Sequence, residues 1–449
     1  MSSLENQMFR YTMDKLDKLG YLKVCEKCVD PVFEVGGVLK YFKNEVPILF
    51  NNVKNHKISL AGGVYGKREI FYDLIDLNSD NRIYKFMDAI ANPMDYKEVS
   101  SSPVKENIVS RNIDINKLFP IPISHEKDSS NFITSGMLII KDPNTGDIHM
   151  AVRRFQVNSK DNISALVSGA SPHLNKLIKD CEVNNKSIDC AVVLGYDAEL
   201  LIASQISSSR YGLDKYKVYS ALKGEPLKVV KCESIDILVP AYAEIVIEGK
   251  LNPNKKVIEG PFGELMGYYG DIVSHPTIDI KVITHRDNPI FQHAFPSREE
   301  HLANGLIREV EIYTSLKNIV DIVDVNVTVG GGCRFHAIVK INKKNEGDGK
   351  SAILAALGSS KDLKHVIIVD SDVDIYDYSD VEFAISSRVQ ASEDVIIIKN
   401  ALGSPLEASH VNKGLSDKMG IDATKPLNNE LFDRAVVPGY EDININDYF

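Results

Sequence analysis

Apolar and polar positions change their rhythm twice along the chain. Phe9, Met13 and Leu16 fall on one helical face and Gly20 ends the run, which predicts an amphipathic helix stopped by a glycine C-cap. Short apolar runs at 47–50 and 58–60 precede helical patterning over 68–77 and 82–91. This opening region reads as a small α/β domain closing near Asn92-Pro93. The polar stretch 96–105, with Ser100-Ser101-Ser102-Pro103, reads as a linker.

From about 107 to 296 the pattern becomes that of strands. Segments 132–140, 149–157, 190–194, 200–203, 235–238, 243–248 and 277–284 are rich in β-formers and separated by turn chemistry. Helical insertions stand out only near 173–181 and 215–223, so a mostly antiparallel, barrel-like domain fits better than a doubly wound sheet. After Ser297 the α/β pattern returns: a long helix over 299–316, strands at 321–329 and 335–341, a helix at 351–357 and a strand at 365–369. Ser379 with Glu382 reads as a capping box for a further helix. The expected fold class is α/β (α+β) in three parts, 1–104, 105–297 and 298–449.

Length supports several parts, since 449 residues are too many for one ordinary core. Apolar residues at 44% and charged residues at 25% are globular values, and the net charge of -10 argues against nucleic acid or an anionic membrane as the main partner. No run approaches a membrane span and the opening residues lack a signal-peptide core, so a soluble, cytoplasmic protein is expected. Six cysteines in so long a chain do not make a disulfide framework. Cys25 and Cys28 form a CxxC, but no second pair lies at zinc-site spacing and no βαβ redox context follows.

Several motifs fail on inspection. Asp370, Asp372 and Asp374 imitate a calcium loop, but Ile375 and Val381 stand where glycine and glutamate are needed. Gly330-Gly331-Gly332 lies between strand-like runs with no following Lys-Ser/Thr, and reads as a turn. GxGxxG, HExxH and GxSxG are absent from the sequence. The segment richest in chemistry is Glu259-Gly260-Pro261-Phe262-Gly263-Glu264. Its proline and two glycines, both able to take positive φ, predict a stiff bend that can turn both glutamates to one pocket. Two carboxyls held close in a partly dry site push one towards a neutral, proton-donating form. Taken alone, such a spacing reads as a surface turn flanked by solvated acids.

The rest of the chain changes that reading. EGPFGE with Gly267-Tyr268-Tyr269, the preceding run 230–249, Asp142-Pro143-Asn144-Thr145-Gly146 and LSDKMGIDATKP at 415–426 resemble the UbiD family of prenylated-FMN-dependent decarboxylases. So do Pro103-Val104-Lys105-Glu106, Pro120-Ile121-Pro122 with His125-Glu126, and the glycine run into Arg334-Phe335-His336. The resemblance implies an N-terminal α/β region, a central flavin-reductase-like split β-barrel and a C-terminal α/β domain. It also implies reversible, non-oxidative loss of carbon dioxide from an α,β-unsaturated or aromatic acid. Arg154, Glu259 and Glu264 fall on the family's catalytic network. Glu264 would donate the proton, Glu259 would hold Arg154, and Arg154 would orient the substrate carboxylate.

Cofactor contacts are implied at Ala151, Val152, Arg153, Pro172, His173, Lys215 and Lys418. The family also holds manganese, with potassium nearby, through an Asn, a His and a Glu. The histidine matches His173, but the asparagine position is His149 and the glutamate position is Lys215, with Asp214 beside it. Two readings stay open: His149, His173 and Asp214 bind the metal, or the Lys215 ammonium takes over part of its charge. His125, His293 and His336 lie in stretches that carry the resemblance, and each is equally readable as a satisfied core histidine.

The substrate candidates implied are trans-anhydromevalonate 5-phosphate, of an archaeal isoprenoid route, and 4-hydroxy-3-polyprenylbenzoate. Inward-pointing Lys215, Arg210 and Arg153 would favour the phosphorylated one. The alternative is a catalytically silent flavin-binding or assembly module on the same scaffold, against which stands retention of Arg154, Glu259 and Glu264. A plain FMN oxidoreductase is weaker, for want of a dinucleotide fingerprint. Implied partners are a flavin prenyltransferase and further copies of the chain, as dimers or hexamers.

Overall fold

The computed structural model describes residues 7–143, 145–167, 172–410, 412, 414–432 and 434–449; the side chains at 172, 173, 209, 210, 297 and 441 lie outside that description. The chain divides into two compact units, one of residues 1–310, 328–334 and 405–409, the other of 311–327, 335–404 and 410–449.

The first unit is built on a closed barrel. Its strands are β1 (Phe132–Lys141), β2 (Ile148–Ser159), β3 (Asn162–Ala165), β4 (Ile188–Leu194), β5 (Ile245–Glu259) and β6 (Val273–His285). They run in the ring order β5-β4-β1-β2-β3-β6, and β6 pairs back onto β5, every pairing being antiparallel. Leu138, Ile140, Phe155, Val157, Ile163, Val192, Ile245, Ile247 and Ile278 join one continuous buried cluster. Removing their apolar surface from water is the main force closing the ring.

Helix α1 (Met8–Lys18) buries Phe9, Met13 and Leu16, and Gly20 beyond its end takes φ +76°. The helices at Arg68–Leu74 and Arg82–Ala91 stand close to where the hydrophobic period places them. Short strands at Lys23–Cys25, Ile48–Phe50 and Leu60–Gly62 are completed by Phe291–His293, from just beyond the barrel. The expected linker is tied down as well: Lys97–Glu98 pairs with Lys228–Lys231, and Val104 is buried.

Two helices form where predicted, α2 (Pro172–Val183) and α4 (Lys215–Lys223). A third corrects a predicted strand. Residues 200–203 belong to helix α3 (Ala198–Gln205), whose N-cap Asp197 accepts from Leu200 N at 3.2 Å. The helix is buried from 198 to 204, so it shows no amphipathic period and resembles a buried strand in sequence. The strand expected at 235–238 begins at its last residue and runs Leu238–Pro240. Helix α5 (Arg298–Leu316) follows the barrel.

The second unit is an α/β sheet of β7 (Ile322–Val327), β8 (His336–Ile341), β9 (His365–Asp370), β10 (Val395–Leu402) and β11 (Leu415–Ala423), in the order β7-β8-β9-β11-β10. Alternation along β9 feeds two cores: Val366 and Ile368 pack in one, Ile367 and Val369 in the other. Helices α6 (Asp348–Ser359) and α7 (Tyr378–Arg388) belong to this unit. The expected capping box is corrected, because the N-cap is Asp377, which accepts from Ser379 N at 2.9 Å. An aspartate placed before the first turn meets the free N–H groups better than Ser379 within it. Gly330-Gly331-Gly332 is a turn, and Asp370 and Asp372 are bridged by Arg388.

Candidate active site

Arg154 lies on β2, Glu259 ends β5, and the six-residue bend carries the chain on to Glu264. Arg154 Nε donates to Glu259 Oε1 at 2.8 Å, and its Nη1 donates to Glu264 Oε1. Its guanidinium also lies over the Phe262 ring, 4.7 Å from the centroid, and Phe262 packs on Phe132 at the same centroid distance. One arginine thus joins both carboxylates and stacks on the aromatic between them.

The bend is held from several sides. Gly260, at φ +95°, precedes a cis peptide bond to Pro261, and its N–H is accepted by Gln156 Oε1 at 3.1 Å. Ser129 Oγ donates to that same oxygen at 2.8 Å, and Ser129 N donates to Pro261 O at 3.0 Å. Gly263 N donates to Asp128 Oδ1 at 2.9 Å, while Asp128 Oδ2 takes His125 N at 2.9 Å. Gly263 is needed for space and not for positive φ, which corrects the expectation: a Cβ there would lie 2.4 Å from His125 Nδ1. The His125 ring is itself stacked on Phe295.

Burial pushes the Glu259 carboxyl up, Arg154 pulls it down and the charge of Glu264 adds to the rise, leaving it above its ordinary value. Burial works against the charge of Arg154, but the two glutamates hold its pKa above the usual guanidinium range. Glu259 is almost fully enclosed, whereas the Glu264 side chain keeps 21% of its surface exposed. His275, on β6, is pushed down to about 4 by burial and by Arg154's charge, so a neutral imidazole lies near the network.

On β2, beside Arg154, Ala151 is half-buried and Val152 buried. Burial lowers Arg153, against the opposing charge of Glu300 and with that of Arg334. Lys215, the first residue of α4, is buried, and its Nζ donates to Met150 O at 2.7 Å and Ser204 O at 2.5 Å. Asp214 caps α4, accepting from Tyr216 N at 2.9 Å. His149 lies on β2, one residue before Met150. The side chains of Pro172, His173 and Arg210 fall outside the described part.

Of the other candidates, His293 belongs to the first unit and Lys418 and His336 to the second. His293 Nδ1 meets Thr134 Oγ1 at 3.0 Å, and burial takes its imidazole down to about 3. Lys418, on β11, points its ammonium at the carbonyls of Leu357, Ser360 and Lys361 at the end of α6, at 3.2–3.4 Å. His336, on β8, is pushed down to about 4 by burial. Cys25 and Cys28 are free thiols. Among the described residues no group of three His, Cys, Asp or Glu side chains is placed to hold a metal ion, and no helix is long and apolar enough to cross a membrane.

Sequence reasoning missed Gln156, Asp128 and His275. Gln156 is the same-face neighbour of Arg154 two residues along the strand, a signal that strand alternation offers.

A closed antiparallel barrel carrying an arginine between two carboxylates is a scaffold for handling a carboxyl group, and comparison with known proteins agrees. Models of 3-octaprenyl-4-hydroxybenzoate carboxy-lyase match in order, its N-terminal domain at 13–90, its Rift-related domain at 97–299 and its C-terminal domain at 301–423. The chain belongs to the UbiD family. It is similar to anhydromevalonate phosphate decarboxylase of Methanosarcina mazei, 33% identical over 433 residues that cover 96% of this chain and 99% of that one. Among solved structures, the UbiD-class enzyme HmfF from Pelotomaculum thermopropionicum in complex with FMN has a TM-score of 0.94 at 38% identity, covering 98% of this chain and 99% of that one. An evolved dimeric form of HmfF in complex with prFMN has a TM-score of 0.90 at 37% identity, covering 99% and 100%.

Proposed function

We propose that this UbiD-like carboxy-lyase removes carbon dioxide, reversibly and without net oxidation, from an α,β-unsaturated carboxylic acid, with trans-anhydromevalonate 5-phosphate as the substrate. The observation that carries the reaction class is the single guanidinium of Arg154 joined to both Glu259 and Glu264. Similarity to the Methanosarcina mazei enzyme along 96% of the chain supports the substrate.

Prenylated FMN is the proposed cofactor, since HmfF is seen with FMN and with prFMN. The residues present suit such a ligand: Glu259 Oε2 and Arg153 Nε are buried and have no hydrogen-bond partner among the described residues. Ala151, Val152, Arg153, Pro172, His173 and Lys215 would hold it. When bound, the flavin supplies the electron sink for the carbon that loses carbon dioxide.

The protein's share is position, charge and a proton. Arg154's rigid fork matches a carboxylate, and Phe262 against its face limits its movement. Glu259, enclosed and bonded to Nε, anchors that fork. Glu264, the more accessible acid, gives a proton to the carbon vacated by carbon dioxide and takes it back in the carboxylation direction. Two carboxylates on one guanidinium carry a net negative charge, and burial raises the Glu259 carboxyl.

The test is carbon dioxide release by protein co-expressed with a flavin prenyltransferase, offered trans-anhydromevalonate 5-phosphate or 4-hydroxy-3-polyprenylbenzoate. Turnover of the first, lost in Glu264→Gln while the bound-flavin spectrum persists, is the expected result. Turnover of the second alone overturns the substrate, and wild-type rates in Glu264→Gln overturn the proton role. A flavin-loaded protein that turns over neither acid and exchanges no substrate proton favours the silent module.

A further inference from the structure

The family resemblance implies a divalent ion beside the cofactor phosphate, at positions that carry His149, His173 and Lys215 here; the His173 side chain lies outside the described residues, and Lys215 brings a positive charge where a carboxylate is expected. Asp214's carboxylate is engaged in capping α4. The adjacent position carries an ammonium in place of a carboxylate. Among the described residues no three metal-binding side chains come together.

What the site holds instead is two basic side chains, Lys215 and Arg153, whose charged forms burial disfavours. Two backbone carbonyls, Met150 O on β2 and Ser204 O in the last turn of α3, converge on Lys215 Nζ at 2.7 and 2.5 Å. Such a pair of buried carbonyls, one at the negative end of a helix, suits a cation, and the protein's own ammonium occupies it. A metal ion there would have to displace Lys215 or lie against its charge. Among the described residues two of the three ammonium N–H bonds are used, which leaves one for a ligand. The charged group acting on Lys215 is another cation, Arg153. Arg153 has a buried Nε without an acceptor among the described residues. Glu300 offsets the charge of Arg153, but the charge acting on Lys215 is repulsive, so an anion beside the ammonium would stabilise it.

We infer that Lys215 and Arg153 bind the phosphate monoester of the flavin directly, with no divalent cation between protein and phosphate. The inference rests on the flavin cofactor proposed above and deepens it. The Lys215 ammonium is a point charge held by the barrel wall, and the Arg153 fork supplies directed donors.

EDTA-treated apoprotein is titrated with FMN and with riboflavin, which lacks the phosphate, following quenching of flavin fluorescence. FMN is expected to bind about tenfold or more tightly than riboflavin without metal, and added Mn2+ should change its affinity less than about twofold. Lys215→Met and Arg153→Met should each weaken FMN by about tenfold and leave riboflavin unchanged. Arg153→Met decides the matter if Lys215→Met fails to fold, because among the described residues the Arg153 side chain makes no hydrogen bond to the barrel backbone. FMN binding that requires Mn2+, or one manganese per chain in washed FMN-loaded protein by elemental analysis, overturns the inference. Equal affinity for the two flavins removes the phosphate site and leaves the cofactor reading standing. If neither flavin binds with or without Mn2+, the cofactor reading falls, and this inference with it.

Discussion

Gln156 accepts the backbone N–H of Gly260 at 3.1 Å, so the strand that carries Arg154 also fixes the turn between Glu259 and Glu264. Gln156 also donates to Ile258 O at 3.2 Å. Gln156→Ala frees the turn without touching any of the three charged residues. A displacement of about 1 Å between reacting groups costs roughly 100-fold in rate. The expected result is a fall in kcat of about 10- to 100-fold with little change in cofactor affinity, measured by single-turnover carbon dioxide release and flavin titration. Unchanged kcat would show that the turn keeps its shape unaided.

Gly263→Ala drives a methyl group into the His125 ring. Overpacking of this kind costs roughly 1–3 kcal/mol. Because the ring is the obstacle, the double variant with His125→Ala should recover part of the lost stability and activity, a positive coupling in a double-mutant cycle. Simple additivity of the two changes would place the strain elsewhere.

Glu299, in the first turn of α5, is buried, and burial pushes its carboxyl up to about 8 against weaker opposing effects of Gly63 N–H, Asn44 and Arg298. The folded protein therefore holds this proton more tightly than the unfolded chain, where the group titrates near 4.5. Stability from Glu299 is complete below the unfolded value and is lost as pH rises to about 8. The loss is on the order of a few kcal/mol. Urea unfolding between pH 5 and pH 8 should show a falling midpoint in the wild type and a flatter one in Glu299→Gln. Parallel pH profiles would refute this.

In the second unit, Arg388 Nη1 and Nη2 bind Asp370 and Asp372 at 2.8 and 2.9 Å with the arginine side chain only 2% exposed. Arg388→Met leaves Asp370 without its guanidinium partner, while Asp372 keeps Lys425 and Arg434. Breaking a buried pair from one side costs about 3–5 kcal/mol. Thermal unfolding should show that loss, and Asp370→Asn in the Arg388→Met background should restore part of it.

The legible parts of the fold were those with a period. The amphipathic helices at Met8–Lys18 and Arg82–Ala91 and the barrel strands, rich in β-formers and bounded by turns, stood out, while Ala198–Gln205 did not, because every face of it is buried. At the site, a bend carrying two acids could be read from residue types alone. That Arg154 lies between them depends on pairing across 105 residues, which only the family resemblance supplied. Asp128 was silent in sequence because it acts on backbone N–H groups, one of them 135 residues away, and backbone groups leave no trace in residue identity. Gly263 was singled out for the wrong reason: its neighbour in space is a ring that sequence does not place.

The ring order of the barrel puts β2 and β5 opposite each other, three ladders apart by way of β1 and β4 and three by way of β3 and β6. Arg154 and Glu259 are therefore located relative to one another by two independent chains of hydrogen-bonded register. In an open sheet one slipped pairing would part them. Here a slip in either arc is opposed by the other, and the geometry of the charge bridge is redundantly specified by the backbone before any side chain contributes.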